Sequence, residues 1–550
     1  MLRGMPPSLE VRAPARAGLR AALALSLVAL AQFSAWRPTN FAGVDEWLIL
    51  SLNSRGIVSF PHANRPLHLL WGLPGFALTP YRFEGYFLVH VLYLVGGAWL
   101  TWWLVSRIAP RPPALALLAA AFALTWAPLD MARLATVQML AIAGSTGAVL
   151  LALALLLEAW RRGHIWPLAA AIGLGFLAVR SYEAALAPLL AGPLLLRAAP
   201  DPTTPGRPAS RLRFSLAWLV ALGVLAVIVA APFLTRGGEA TYQAEVHHAD
   251  FDPVRWAGRM GRLYAFHLGP LLLVDAALFL NAGAVLAVLA LVVGGLPALR
   301  RPEPGADPGV GRGALLSLAA LGLVLAGLGY SMFALSSSIA TATRTQFFAA
   351  PGIGLFLAAI LLLAASLAPA GARPYVVVVP AVLVIAGGIG HGRGMQREWD
   401  RIGYYPAQTR ALRAIVRAAP ALRPHTLVLL LDDDGAFPYA LTFRHAVAVL
   451  YGEDVVGHAV DANPFLYTAS VQGSELRIDP WPIIAGPWRE RASRHRFEDA
   501  VAFRLSGGQV SLLDRWEGGR LPALPPGSRY APRSRILDGP APPGRRVLAP

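Results

Sequence analysis

Residues 43–50 read Gly43-Val44-Asp45-Glu46-Trp47-Leu48-Ile49-Leu50, an acidic pair placed a few residues beyond a first apolar segment. About twenty residues later comes Asn64-Arg65-Pro66-Leu67. The stretch from Arg37 to Phe83, with Glu84 at its edge, also carries Arg55, His62, His68 and Arg82. The remainder of the chain up to residue 391 is a succession of apolar runs. Ionisable groups beside lipid are costly, so a long charged loop between apolar runs marks a functional site.

Composition sets the class. Of 550 residues, 56% are hydrophobic and 14% charged, and the mean hydropathy is +0.52. Soluble domains carry about 25% charged residues, so the chain reads as a membrane protein. The positive side of the formal net charge of +17 is all arginine, with no lysine. With many Ala, Gly and Pro, that usage points to a bacterial genome. Arginines flanking spans orient them and attract anionic lipid. No basic and aromatic cluster stands in a soluble segment, so nucleic acid is not an expected partner. Cysteine is absent, which removes disulfides, thiolate metal sites and cysteine nucleophiles.

A membrane span needs about 20 apolar residues. The pattern predicts about eleven, at 18–36, 85–107, 113–129, 134–159, 165–180, 183–197, 214–235, 269–298, 314–334, 347–369 and 374–391. The two beside Arg180-Ser181-Tyr182-Glu183 are short, and the one from 269 has room for an interfacial piece around Asp275. A cytoplasmic N-terminus puts sixteen arginines on inner loops and eleven on outer ones before the C-terminal region, as the positive-inside rule requires. The first run is expected to be an anchor, not a cleaved signal peptide, because the alternation needs it. The expected location is the bacterial inner (cytoplasmic) membrane, multi-pass, with the active face outside.

The fold class expected is mainly α: a polytopic helical membrane domain over 1–391, then a small extracytoplasmic α/β domain over 392–550. Within the latter, 406–419 and 438–451 read as helices, and 425–431, 475–478, 500–505 and 509–513 as strands. The tail from about Gly518 is Pro-, Gly- and Arg-rich and expected to be extended or disordered. Asp432-Asp433-Asp434 suggests either a hard cation or a strand-to-helix turn that uses Asp as turn former and cap; no later acidic residue stands at calcium-loop spacing.

A long first outer loop with Asp45-Glu46 just after the first span resembles the polytopic glycosyltransferases of the C superfamily, which include protein O-mannosyltransferases and aminoarabinose lipid A transferases. In these families the loop forms two interfacial helices, with an acidic residue near its start and a basic-Pro-Leu segment further on, where this chain has Arg65-Pro66-Leu67. Ser181-Tyr182-Glu183, and Arg344 ahead of Phe347 to Gly352, are similar to features of bacterial members. The aminoarabinose enzymes carry Lys-Pro-Pro where Arg65-Pro66-Leu67 stands here, which leaves the donor sugar open. The resemblance implies a polyprenyl-phosphate sugar donor and an envelope glycan, lipid or protein acceptor.

Such a transfer needs a carboxylate to take the acceptor proton and cations to hold the departing phosphate. Asp45 or Glu46 suits the first task; Arg65, Arg344, Arg255 and Arg259 suit the second. Asp130, Arg133, Tyr182 and Glu183 are expected to support the site or bind acceptor. Each has a plainer reading. Asp45-Glu46 can cap a helix beginning at Trp47, Arg65 can snorkel to headgroups, and Asp130/Arg133 can be a salt-linked helix end. A divalent cation is a possible cofactor; His247-His248 with Asp250 and Asp252 is one candidate place for it. A transporter or flippase for lipid-linked glycans, or a non-catalytic envelope scaffold, are the competing functions. The first predicts charges at span midpoints and an internal repeat, neither of which stands out here.

Overall fold

The computed structural model describes residues 12–34, 36–38, 42–43, 45–60, 65–134, 136–201, 210–235, 250–272, 311–336, 344–539 and 543–549. Asn64, His247, His248 and Asp275 lie outside them. The chain divides into two compact units: Met1–Trp36, Val91–Leu134 and Ile142–Gln396 form one, and Arg37–His90, Ala135–Ala141 and Arg397–Pro550 the other.

The first unit is helical. Among the described residues, six helices are long and apolar enough to cross a membrane: Glu84–Ile108, Val137–Arg162, Arg211–Ala231, Arg312–Ala334, Ala350–Leu367 and the one that begins at Arg373. The protein is thus an integral membrane protein, and the described residues hold six full-length spans beside shorter apolar helices. The run at 113–129 yields only Pro113–Thr125, and that at 165–180 yields Ile165–Ser181; both are apolar but shorter. The run at 183–197 breaks into Glu183–Ala185, Leu186–Leu189 and Gly192–Ala198, because Pro188 and Pro193 each lack a backbone donor. The run from 269 lies outside the described residues beyond Leu272.

Close helix packing depends on small residues, since lipid offers no hydrophobic drive between helices. A Cβ on Gly352 would meet the backbone of Ala326 and Gly322, and one on Gly354 would meet the Ala119 carbonyl. Those two positions let the Ala350–Leu367 helix approach Arg312–Ala334 on one side and Pro113–Thr125 on the other. Pro113–Thr125 is buried from Ala114 to Thr125, as an all-round apolar helix must be. By contrast, Arg211–Thr235 leaves Val220 and Val227 about two-thirds exposed (66% and 68%), a face suited to lipid.

The second unit holds the α/β part. Strands β1 (Ala421–Leu422), β2 (Leu427–Asp432), β3 (Val456–Ala459), β4 (Tyr467–Gln472), β5 (Glu475–Pro480), β6 (Ser493–Arg496), β7 (Ala500–Ser506), β8 (Gln509–Leu512) and β9 (Ile536–Leu537) make three sheets, ordered β3-β2-β7-β8, β4-β5-β6 and β1-β9. β2 is parallel to β3 and β7, with Leu427 opposite Val456 and Ala500, and β7 pairs antiparallel with β8. Parallel neighbours need a crossover, and the Ala440–Tyr451 helix supplies it between β2 and β3. β2 is buried from Leu427 to Leu431, which explains its unbroken run of apolar residues.

Among the described residues after Gly518, largely extended as expected, β9 pairs with β1 and the last 3₁₀ turn, Pro543–Leu548, buries Val547 and Leu548. The first loop forms a helix, Glu46–Ser54, but it is not an amphipathic helix resting on an interface. Every residue from Glu46 to Asn53 is buried, and the helix packs on Ala440–Tyr451. Glu-Trp-Leu-Ile-Leu-Ser-Leu-Asn-Ser presents no broad polar face, so it has nothing to show to headgroups.

Candidate functional site

In the second unit, the segment before the acidic pair is gripped from the α/β part. Gln408 donates from Nε2 to the carbonyls of Ala42 and Ala436, both at 2.9 Å, and accepts from Trp47 Nε1 at 2.8 Å. Thr442 Oγ1 donates to the Gly43 carbonyl at 3.0 Å. Ala42 sits at φ +52°, a left-handed backbone that a Cβ disfavours. Such strain persists where surroundings over-determine it, and it concentrates at functional sites. Trp47 and Tyr405 each meet Phe83 edge to face and lie tilted to one another, with centroids 5.7–6.2 Å apart.

The two carboxylates that follow differ sharply. Asp45 is the N-cap residue of the helix yet makes no side-chain capping bond, and it is half-buried. Glu46 is 1% exposed, and its carboxylate oxygens make no close hydrogen bond among the described residues, although backbone groups of Glu46, Ala42 and Asp45 favour its charged form. Burial, and then the charge of Asp45 beside it, push the Glu46 carboxyl up to about 7. Glu46 is thus poised to hold a proton near neutrality, while Asp45 beside it is half-buried. Arg65 belongs to the same unit and is half-buried, and its carbonyl closes the turn with the N–H groups of His68 (3.2 Å) and Phe60 (3.3 Å).

Below the helix, Arg55 donates to Glu490 at 3.0 Å and approaches Glu453 at 3.3 Å, and Arg444 reaches the other Glu490 oxygen at 3.2 Å. Burial alone would raise the Glu490 carboxyl, but the surrounding charges, Arg444 and Arg55 among them, hold it below the usual range. His445, fully buried, meets Ser51 Oγ at 3.2 Å and the Tyr467 hydroxyl at 3.0 Å. Burial keeps it neutral, lowering it to about 3.

In the first unit, Asp130 is fully buried and accepts from the backbone N–H groups of Arg344 (2.6 Å) and Gln346 (3.0 Å). Burial pushes its carboxyl up to about 6, against the pull of those two donors and of Arg133. Arg133 donates to the Ala123 carbonyl at 3.2 Å and lies over the Phe347 ring, 5.8 Å from its centroid. Burial lowers it to about 10. Arg344 itself is exposed, at φ +59°. Tyr182 is buried and its ring lies 6.2 Å from that of Phe348; Glu183, half-buried, opens the 3₁₀ turn Glu183–Ala185. The Arg344–Phe348 segment therefore gathers Asp130, Arg133 and Tyr182 around it.

Arg255 and Arg259 are engaged elsewhere. Arg259 pairs with Asp250 and donates to the Ala334 carbonyl at 2.8 Å, while Arg255 pairs with Asp252 at 3.0 Å. Asp252 caps the Pro253–Leu268 helix through Val254 N and Arg255 N. Both guanidiniums face carboxylates of their own segment.

Sequence reasoning passed over His267. Its Nε2 meets the Trp126 carbonyl and the Trp126 indole N–H returns a bond to the His267 carbonyl, both at 2.9 Å; Nδ1 meets the Tyr330 hydroxyl. The available signal was Arg259, Leu263 and His267 at i, i+4 and i+8, the buried stripe of one helix.

The Asp432–Asp434 run is spent on backbone and arginine. Asp432 accepts from Phe437 N, Asp433 pairs with Arg520, and Asp434 accepts from Gly507 N and Gly508 N. Among the described residues, no three His, Asp or Glu side chains converge as metal ligands.

No family model matches the chain, and no curated protein matches it. Solved structures do. ArnT from Cupriavidus metallidurans bound to undecaprenyl phosphate aligns at 15% identity over 76% of this chain and 83% of that one, with a TM-score of 0.37. Its apo form aligns at 15% identity over 75% and 81%, with a TM-score of 0.34.

Proposed function

We propose that this protein is an integral-membrane glycosyltransferase that moves a sugar from a polyprenyl-phosphate donor to an envelope glycan, lipid or protein acceptor on the outer face, with inversion. The observation that carries the reading is the acidic pair: a half-buried Asp45 at the start of the Glu46–Ser54 helix, on a strained and tightly held segment, beside a buried Glu46 shifted to about 7. The acceptor hydroxyl oxygen attacks the anomeric carbon, the bond from that carbon to the phosphate oxygen breaks, and the hydroxyl proton passes to Asp45. The polyprenyl phosphate leaves with the electron pair. A single displacement needs one base and no second nucleophile.

Arg65, in the same loop as Asp45, is the first candidate for the phosphate, which a planar guanidinium can fork. At an effective dielectric near 20 such a contact contributes roughly 4 kcal/mol before desolvation. In the first unit, Arg344 is a separate candidate for binding phosphate. Asp130 is a positioning residue for it, since both carboxylate oxygens take backbone N–H groups of that segment.

The test is sugar transfer in membranes supplied with total lipid-linked donors from the native organism. Asp45→Asn should lower turnover by roughly two to four decades while folded protein stays abundant. Arg65→Ala should weaken donor affinity and turnover together, and Arg344→Ala is compared in the same assay. Near-normal transfer by Asp45→Asn would move the base to Glu46; near-normal transfer by Asp45→Asn and Glu46→Gln alike removes this loop from the chemistry.

A further inference from the structure

The α/β part has a second site that transfer chemistry does not use. A groove of about 840 Å³ runs between the Tyr405–Ala418 helix, the turn joining β7 and β8, and the closing 3₁₀ turn Pro543–Leu548. Arg410, Arg413, Arg417 and Arg545 line it, and no acidic residue does. Positions 410, 413 and 417 fall at i, i+3 and i+7, within about 60° of arc on one helix face. The opposite face, with Ala411, Leu412 and Ile415, is buried.

A basic helix face is ordinarily a solvated one, so what these guanidiniums meet decides the matter. Several arginines elsewhere in this unit find carboxylates, Arg477 with Asp479, Arg520 with Asp433 and Asp461, Arg533 with Asp514 and Arg535 with Asp499, while others, Arg494 and Arg529 among them, are exposed and line no groove. Among the described residues, none of the four groove arginines is paired with a carboxylate. Arg413 instead donates from Nε to the Leu548 carbonyl at 2.9 Å, tying the helix to the tail. Arg545 lies 5.7 Å from the Tyr451 ring centroid, and its Nε and one terminal nitrogen are buried without a hydrogen-bond partner among the described residues. A buried donor left unmet is costly, and here it sits at the wall of a groove of uniform positive charge.

We propose that this groove binds a ligand carrying two or more phosphate charges, either a soluble phosphorylated molecule or the headgroups of anionic lipid. Guanidiniums fork onto phosphate oxygens through paired charge-assisted bonds. Four of them in one groove call for several anionic groups, where a single carboxylate leaves most of the charge unmet. The inference needs no transferase activity and stands or falls apart from it.

The test uses the full chain in nanodiscs of phosphatidylcholine, titrated with tripolyphosphate at constant ionic strength and followed by calorimetry. Saturable binding is expected, weakened about tenfold or more in the Arg410→Gln/Arg417→Gln double variant. The charge-matched control, Arg494→Gln/Arg529→Gln, removes two exposed arginines outside the groove and should bind as the parent does. Thermal melting of both double variants reports whether the fold is kept, and Arg545→Ala gives a second reading from the other wall. Absence of saturable binding, or equal loss in groove and control variants, overturns the proposal. Nanodiscs with added phosphatidylglycerol then separate the sources: competition with tripolyphosphate identifies lipid headgroups, and unchanged affinity identifies a soluble ligand.

Discussion

Asp45 and Glu46 are sequence neighbours with opposite surroundings, and the difference has a pH signature. Glu46 carries an ordinary value of 4.5 in the unfolded chain and about 7 in the fold. Below about pH 4.5 both states hold the proton and burial carries no charge penalty. Between about 4.5 and 7 the unfolded chain ionises first, so stability falls as pH rises, by about 3 kcal/mol in all, and stays lowered above 7. Glu46→Gln removes that dependence. Its melting temperature should match the parent near pH 5 and exceed it at pH 8; a lower value at pH 8 would mean that Glu46 is ionised and partnered in the fold. Asp130 makes the contrary case, a buried carboxylate with both oxygens used. Asp130→Ala leaves two N–H groups unanswered and should cost about 3 kcal/mol or more, read as a lower melting temperature together with reduced transfer. Asp130→Asn, which keeps one acceptor, should recover part of both. At this scale the sequence located chemistry-bearing residues but not their burial: the helix that begins at Glu46 packs against Ala440–Tyr451, hundreds of positions away.

Elements were legible where a local period wrote them. The expected helix 406–419 is Tyr405–Ala418, 438–451 is Ala440–Tyr451, and the strands expected at 475–478, 500–505 and 509–513 are β5, β7 and β8. β3, with its Gly-His centre, and β4 and β6, rich in polar residues, lack the apolar alternation that signals a strand. The apolar runs were found, but their lengths were overread at 113–129 and 183–197, where prolines cut the helices short. The first loop misled for a different reason: an apolar helix beside a membrane suggests an interface, while its actual cover is the Ala440–Tyr451 helix. Helix approach in the first unit makes a prediction of its own. Gly352→Val places atoms inside the backbone of Ala326 and Gly322, and overpacking of this kind costs about 1–3 kcal/mol or more. It should lower the yield and melting temperature of the purified protein. Gly313→Ala, in the first turn of Arg312–Ala334 with nothing within 4 Å of its added carbon, should be tolerated or mildly stabilising. Equal loss in both would mean that the close approach at Gly352 is not what these substitutions disturb.

For the whole molecule, one structural fact constrains topology. Residues 37–90 and 397–550 share a compact unit, joined by Trp47–Gln408, Thr442–Gly43, Arg55–Glu490 and His445–Ser51. Gln408, Thr442, His445 and Glu490 follow no motif, so the sequence could not announce this partnership. Hydrogen bonds do not form across a bilayer, so both segments lie on one face, and the chain between residues 90 and 397 crosses the membrane an even number of times. A cytoplasmic N-terminus, expected from the arginine bias, together with a crossing by the apolar run at 18–36, would put that shared face outside. The absence of cysteine makes this directly measurable with single cysteines and a membrane-impermeant maleimide on spheroplasts. Glu84→Cys and Ser470→Cys, both at exposed positions, should label together in intact spheroplasts. His164→Cys, exposed beside Arg161 and Arg162, should label only after permeabilisation. Labelling of one but not the other of the first pair would break the shared-face argument. Labelling of His164→Cys alone would keep the even count but turn the whole protein over, placing Asp45 in the cytoplasm and requiring a donor presented from that side.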